Sequence, residues 1–539
     1  MTRRSRVRVG LRSRRVTSPP AGSSLDVVVI GGGIAGLATA ALLASRGHRV
    51  ELLEKNDELG GRVGSVERDG FRFDTGASWY LMPEVFDHFF ELLGTTAESE
   101  LDLVTLDPSY RVFFERHGDP VDVRPDVEHN RALFERLEPG AGERFDAYLA
   151  SAGQTYDVAL RRFLYSNFDS PSAFLHPDIV RRAPALGRLL TRSLEKHVAS
   201  RFEDERIRQV LGYPAVFLGS SPSRAPSMYH LMSRLDLGDR VLYPQGGFTR
   251  LIEVIANLAE KHGARLRTGA PVTRILTAKR NGTSVVTGVE HGGPEGPRTV
   301  MADVVVGAAD LHHLETALLP RELQTHPESA WRDRSPGPGA VLAMLGVAGR
   351  LPELPHHSLF FTSDWRANFG DIFGPEARVP EPASVYVCKP SATDPSVAPA
   401  DCENLFVLVP VPADVSIGSG GDDGAGSAQV ERAADAAIDQ VAAWAGIPDL
   451  RERIRVRHTI GPQDFATRYH AWQGGALGLE HTLRQSAFFR PRNTSAKVDG
   501  LLYAGASTVP GVGLPMCLIS AELVLKRLAG DRSVLPVTG

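Results

Sequence analysis

The sequence predicts an α/β fold built on a Rossmann-like, dinucleotide-binding parallel sheet, and three observations carry that expectation. Val27-Val28-Val29-Ile30 is a β-branched run, the pattern of a parallel strand buried on both faces. Gly31-Gly32-Gly33-Ile34-Ala35-Gly36 follows with G-x-G-x-x-G spacing: the first glycine allows a tight turn, the second lets backbone approach a pyrophosphate, and the third packs the next helix on its strand. A second strand over residues 49–53 ends in Glu54, eighteen positions past Gly36, where a carboxylate accepts ribose hydroxyls.

Residues 37–45, rich in alanine and leucine, read as the helix, its first N–H groups aimed at phosphate. Glu54 would repel a 2′-phosphate, so the expected nucleotide is FAD or NAD, not NADP. Gly60-Gly61-Arg62 resembles the second glycine pair and arginine of flavin oxidoreductases, which favours FAD. The candidate cofactor-binding residues of this opening are therefore Gly31, Gly33, Ile34, Ala35, Gly36, Glu54, Lys55, Gly61 and Arg62.

A chain of 539 residues can bury a large core divided among several domains. Its net charge of −4 excludes a globally basic nucleic-acid binder. Cys388, Cys402 and Cys517 lack C-x-x-C spacing, which argues against a disulfide framework and a zinc site; no metal is expected, and a reducing cytoplasm fits. Residues 1–24 carry seven arginines in the first fifteen positions and read as a disordered basic leader. Residues 27–45 form a charge-free run of nineteen, but the glycine motif accounts for it better than a membrane span does. The protein is expected to be cytoplasmic and, at most, peripherally associated with the cytoplasmic membrane.

Residues 25–80 read as a first part of the nucleotide domain, with Asp74-Thr75-Gly76-Ala77-Ser78 a turn able to come back towards the cofactor. Residues 81–240 read as a mainly helical segment serving substrate and membrane. Within it, Val85, Phe86, Phe89, Phe90 and Leu93 form a core-type stripe. Further on, Ile179, Val180, Leu186, Leu189, Leu190, Leu194 and Val198 interleave with Arg181, Arg182, Arg188, Arg192 and Lys196, as in a helix lying at a lipid interface or on a solvated surface. Residues 241–315 return to the nucleotide fold, with Val272 on a strand expected to cover the adenine and a hairpin turn at Asn281-Gly282. Residues 316–495 read as a substrate domain with a second sheet, a flexible glycine-rich loop at 416–427 and a helix over 430–444. Residues 496–530 form a third nucleotide part: strand, turn at Gly505 and Ala506, then Gly513, Leu514, Pro515 and Met516 opening a helix whose positive end suits an anionic flavin edge.

The chain resembles bacterial-type phytoene desaturases, of the carotenoid-desaturase family of FAD-dependent oxidoreductases. The resemblance runs from about residue 26 to 528. Its most specific parts are residues 503–515 (Tyr503 to Pro515), Gln485-Ser486-Ala487-Phe488-Phe489-Arg490-Pro491 and Phe217-Leu218-Gly219-Ser220-Ser221-Pro222. Val509 and Met516 depart from the histidine and glycine that some relatives carry there. The resemblance implies a two-part, glutathione-reductase or amine-oxidase-like FAD domain with an inserted α+β substrate domain. It also implies one FAD, a linear polyene substrate delivered from membrane, oxygen or quinone as electron acceptor, and conversion of phytoene towards neurosporene or lycopene. Another carotenoid-modifying flavoenzyme, an amine oxidase and a non-catalytic prenyl-protein escort are the alternatives.

The chemistry asks little of acid and base. Desaturation needs hydride transfer from an allylic carbon to flavin N5 and proton loss from its neighbour, and the polyene itself stabilises the cation. Asp204 and Arg208, four apart and expected on one helix face, are the candidate catalytic pair, with a plain helix ion pair as the competing reading. Glu480 is a further candidate.

Overall fold

A computed structural model describes residues 24–169, 177–293 and 296–538; the arginines of the leader lie outside them. Five strands form one wholly parallel sheet in the order Leu501–Tyr503, Val304–Gly307, Asp26–Ile30, Arg49–Leu53, Arg265–Arg267. Val28 sits centrally, paired to Val305 on one side and to Glu51 on the other. Such a sheet is covered on both faces, which is why its central strand is apolar at every position after Asp26.

The helix Ile34–Ser45 has no polar face: every residue but Ser45 is buried. It lies against two other helices, Phe248–Lys261 and Leu514–Ala529. Alanine suits this position because it permits close approach from several sides at no side-chain entropy cost. Gly36 is fixed by the same crowding, since a Cβ there would fall 1.9 Å from the Gly31 carbonyl oxygen.

An antiparallel layer joins this sheet through Val272–Arg280 and Thr283–His291. The expected turn links them, with Asn281 at φ 50° and Gly282 at φ 79°. The second large sheet has seven strands, in the order Ile454–Ile460, Gly339–Ala348, Cys402–Val411, Val385–Cys388, His357–Phe361, Tyr110–Phe114, His117–Val123. Its two faces alternate by residue, as strand geometry requires. Val341, Ala343, Leu345, Val407 and Val409 pack in one core with the helix Ala428–Ala445, while Ala340, Leu342, Phe406, Leu408 and Pro410 point into a large cavity.

The stretch 81–240 is mainly helical but also gives two strands to the second sheet, Tyr110–Phe114 and His117–Val123, which pair with each other, the former also running parallel to His357–Phe361. One expectation is corrected: 416–427 is not a loose loop. Ile417 is buried, and Cβ atoms on Gly420 and Gly426 would fall 1.9 Å from the Thr459 oxygen and 2.3 Å from a Glu431 oxygen. These glycines serve close backbone packing, a use that composition cannot distinguish from flexibility.

Among the described residues, no helix is long and apolar enough to cross a membrane. The apolar stripe of the basic segment divides between two jobs. Leu194 and Val198 belong to a buried core, whereas Ile179, Ala183, Leu186, Gly187 and Leu190, all on the helix Pro177–Thr191, line the cavity. Arg181, Arg182 and Arg188 are exposed on its outside; the side chain of Val180 lies outside the described residues.

Gly36→Ala should lower the stability of the apoprotein by about 1–3 kcal/mol, the usual cost of overpacking a filled core. Urea unfolding checks it, and an unchanged midpoint would mean that the helix is free to move away from the turn.

Candidate active site

The two sheets and the helical segment enclose one cavity of about 820 Å³. All the residues expected at the cofactor line it except Gly36, which sits beneath the turn and acts through packing.

At one end the backbone is arranged for a dinucleotide. The first intrahelical bond of the helix Ile34–Ser45 runs from Leu37 N–H to the Gly33 oxygen, 3.0 Å, so the N–H groups before it point out of the helix start. A Cβ on Gly33 would meet nothing closer than the Gly60 oxygen at 3.8 Å. Space therefore stands open over the second motif glycine. The Glu54 carboxylate is buried and accepts from Gly32 N–H at 2.6 Å and from Asn56 N–H at 2.8 Å. The Asn56 side-chain amide donates to the same oxygen as the Asn56 N–H, at 2.8 Å, so the lone pair left for a ribose hydroxyl is on the oxygen that accepts from Gly32.

Arg62 reaches over the Tyr469 ring at 5.9 Å, and its Nε is buried with no hydrogen-bond partner among the described residues. Lys55 donates to the Thr467 oxygen at 2.7 Å. Beside Lys55, His313 and His470 stack with centroids 3.7 Å apart. Burial and then His470 push the His313 pKa down to about 4, so it is neutral. Val272 lines the cavity at this end, next to Pro271.

The C-terminal segment approaches from the neighbouring strand. Gly505 and Ala506 follow Leu501–Tyr503, and a Cβ on Gly505 would lie 3.5 Å from that of Ala35. The last helix begins at Leu514, with Pro515 in its first turn, two residues earlier than the sequence suggested. Leu514, Pro515, Met516 and Cys517 all face the cavity. Burial pushes the Cys517 thiol up to about 12, with Arg62 and Arg490 pulling the other way. It stays a neutral thiol.

The other end is apolar. Phe163, Leu164, Ile179, Leu186, Leu190, Leu231, Trp365, Phe369 and Ile372 line it. The charged lining residues, Glu54, Lys55, Arg62, Asp310 and Arg468, cluster at the dinucleotide end, where Asp310 feels Arg62 and Arg468 lies beside Lys55 and Asn56.

The catalytic candidates are not brought to this cavity. Asp204 caps the helix Glu205–Gly212, accepting from Arg206 N–H at 2.9 Å and pairing with the Arg206 guanidinium at 2.7 Å. Arg208 turns away and donates from Nε to the Phe202 oxygen at 2.6 Å. The expected pair does not form, because an N-cap carboxylate bends back to its own first turn. Glu480 is fully buried, held by Arg224 at 2.7 Å and Ser220 at 2.9 Å.

Sequence reasoning passed over three features. Trp79 stacks on His357 at 4.4 Å, and His357 Nδ1 lies 2.9 Å from the Tyr386 hydroxyl, which donates to Ser78 at 2.7 Å. This network backs the cavity where the turn and the second sheet meet. His481, next to Glu480, lines the cavity with Nδ1 3.0 Å from the Leu218 oxygen, and burial holds it neutral. His356, His357 and Cys388 bring ligand-type atoms within 4.8 Å of one another behind the wall. None of these has a periodic or spaced signature; only the fold assembles them.

The model of flavin containing amine oxidoreductases matches residues 34–524. The chain belongs to this family. Its cofactor is FAD, and it is an FAD-dependent oxidoreductase. Within the family it stands with the carotenoid desaturases: it is 42% identical over 509 residues to a carotenoid 3,4-desaturase of Haloarcula japonica, covering 94% of this chain and 99% of that one. It is 36% identical to a zeta-carotene-forming phytoene desaturase of Myxococcus xanthus, covering 93% of each. Among solved structures, an oxidoreductase from Methanosarcina mazei shares the fold, with a TM-score of 0.59 at 17% identity over 93% of this chain and 99% of that one.

Glu54→Arg places a cation where a ribose acceptor is expected. The purified variant of this amine oxidoreductase family member should lose most of its flavin absorbance per protein, and undiminished occupancy would remove Glu54 from the cofactor site.

Proposed function

We propose that this protein desaturates a linear carotenoid, taking the substrate lengthwise into the apolar end of the cavity so that one carbon pair meets the flavin. The supporting observation is the division of the cavity: a charged dinucleotide end continuous with a long apolar end that, among the described residues, carries no Asp, Glu, Lys or Arg. An amine substrate would need a counter-charge or a carbonyl cage there. A polyene needs only apolar wall, each buried methylene contributing up to about 0.8 kcal/mol.

In this reading Gly31, Gly33, Ile34, Ala35, Glu54, Lys55, Gly61, Arg62, Val272, Gly505, Ala506 and Gly513 to Met516 hold FAD. When bound, FAD would supply the two-electron acceptor for a C–H bond, with oxygen or a quinone as the expected terminal acceptor. The chain contributes positioning and dryness. Trp79, Tyr386, Phe406 and Leu408 line one wall, their rings tilted against one another, and this wall would orient the extended substrate while the helices on the other side exclude water. The positive start of the last helix favours negative charge as electrons arrive. Proton loss from the adjacent carbon is downhill from a polyene-stabilised cation and demands no strong base.

A phytoene-type substrate is the first reading, with products of the neurosporene or lycopene kind. The 42% identity to a carotenoid 3,4-desaturase favours a second, in which the substrate is already conjugated. Expression in cells accumulating phytoene, and separately lycopene, distinguishes them by pigment analysis. A red-shifted product is expected in one; no new pigment in either, from soluble flavin-loaded protein, would overturn both.

The helix Pro177–Thr191, apolar towards the cavity and basic outside, is read as the side that meets a membrane. Binding to anionic liposomes should fall as salt rises, because exposed charges are screened within about 10 Å at 0.1 M salt. Neutralising Arg181, Arg182, Arg188 and Arg192 together should abolish that salt dependence; binding that stays strong and salt-sensitive would exclude this face.

Met516→Asp should leave FAD bound, make it harder to reduce and slow turnover. A wild-type midpoint potential would mean that the helix start does not face the ring.

A further inference from the structure

Arg490 lies in a motif that the fold has not yet explained. Its side chain is among the largest fully buried ones, yet among the described residues no carboxylate partners it. All four of its hydrogen bonds go to backbone carbonyls: Nε to Thr508 at 3.1 Å, one terminal nitrogen to Gln485 at 3.2 Å, and the other to Leu479 at 3.3 Å and Ala506 at 2.5 Å. The charges that it feels are a second cation, Arg334, and two neutral acids, Tyr229 and Cys517. Although burial lowers its pKa to about 10, it remains a cation at neutral pH. A buried charge without an opposite one is strongly unfavourable unless another group compensates it, and carbonyl dipoles do so only in part.

The position of the shortest bond suggests what that group is. The Ala506 carbonyl belongs to the same peptide unit as the Ser507 N–H, and Ala506 and Ser507 line the cavity. Among the described residues, neither the Ala506 nor the Ser507 N–H has a protein acceptor. A guanidinium on the carbonyl polarises the peptide and strengthens its N–H as a donor. On the far side stands the start of the last helix, whose Cys517 feels both Arg490 and Arg62.

We propose that Arg490 is a positioning residue for the redox step: it polarises the Ala506–Ser507 peptide towards the cavity, so that the bound flavin ring is stabilised as it takes up negative charge. This rests on the reading that residues 505–516 border FAD. Arg490 does not line the cavity itself. It acts through one peptide, and its charge, buried away from solvent, is little screened by salt.

The test uses the purified, FAD-loaded protein and reads the midpoint potential by dye equilibration, with flavin content and ADP affinity measured beside it. Arg490→Gln should keep FAD and shift the midpoint negative; Arg490→Lys, which keeps the charge, should fall between it and the wild type. If Arg490→Gln does not fold, Ser507→Pro approaches the same peptide from the other end: it removes the N–H, with Ser507→Ala as the control for the lost hydroxyl and flavin content as the control for the changed backbone, and the same negative shift is expected. A wild-type midpoint in a fully loaded Arg490→Gln or Ser507→Pro variant overturns the proposal. So does a loss of ADP affinity with an unchanged midpoint, which would assign Arg490 to the diphosphate. Failure of the parent reading looks different: Met516→Asp and Arg490→Gln would then both leave the midpoint untouched.

Discussion

Everything in this molecule depends on how closely one helix can approach one turn. The helix Ile34–Ser45 is pressed between the parallel sheet and two further helices, and Gly36 meets the Gly31 carbonyl at a distance that no side chain fits. That contact sets the direction in which the first N–H groups point. The same packing against the neighbouring strand and the last helix sets where Glu54 and the start of that helix stand relative to the turn. Overpacking here acts on the cofactor site without touching the cofactor.

The nucleotide half was legible because its rules are local. A buried strand, three glycines at fixed spacing and a terminal acid are each dictated by backbone sterics, so residues expected at the cofactor from Gly31 to Met516 line a single cavity. The apolar half was less legible. Leu186 and Leu190 were visible as a helical stripe, but the sequence cannot tell a stripe against lipid from one against a cavity, since both ask for the same residues. Tyr110–Phe114 was missed for a different reason: its hairpin partner His117–Val123 is largely polar, and its other neighbour, His357–Phe361, lies more than two hundred residues away.

Asp204 and Arg208 were misjudged by a rule applied outside its domain. Four-residue spacing places side chains together inside a helix, but Asp204 stands at the cap, where its carboxylate turns to its own N–H groups. His481 was invisible beside Glu480, although the two differ completely in setting. One is sealed in an ion pair and the other borders the cavity. Burial and partners, not residue type, separate a structural acid from a group with work to do.

The parallel sheet has one further consequence. Its strands come from residues 26–53, 265–307 and 501–503, and the helix that closes the dinucleotide end begins only at Leu514. At translation rates of about 5–20 residues per second, on the order of tens of seconds separate synthesis of the glycine turn from that of the helix which completes its surroundings. During that interval the nascent chain holds an apolar groove with one wall missing. The pocket is therefore completed only when residues 514–529 have been made, and until then its apolar lining is open to contact with other chains.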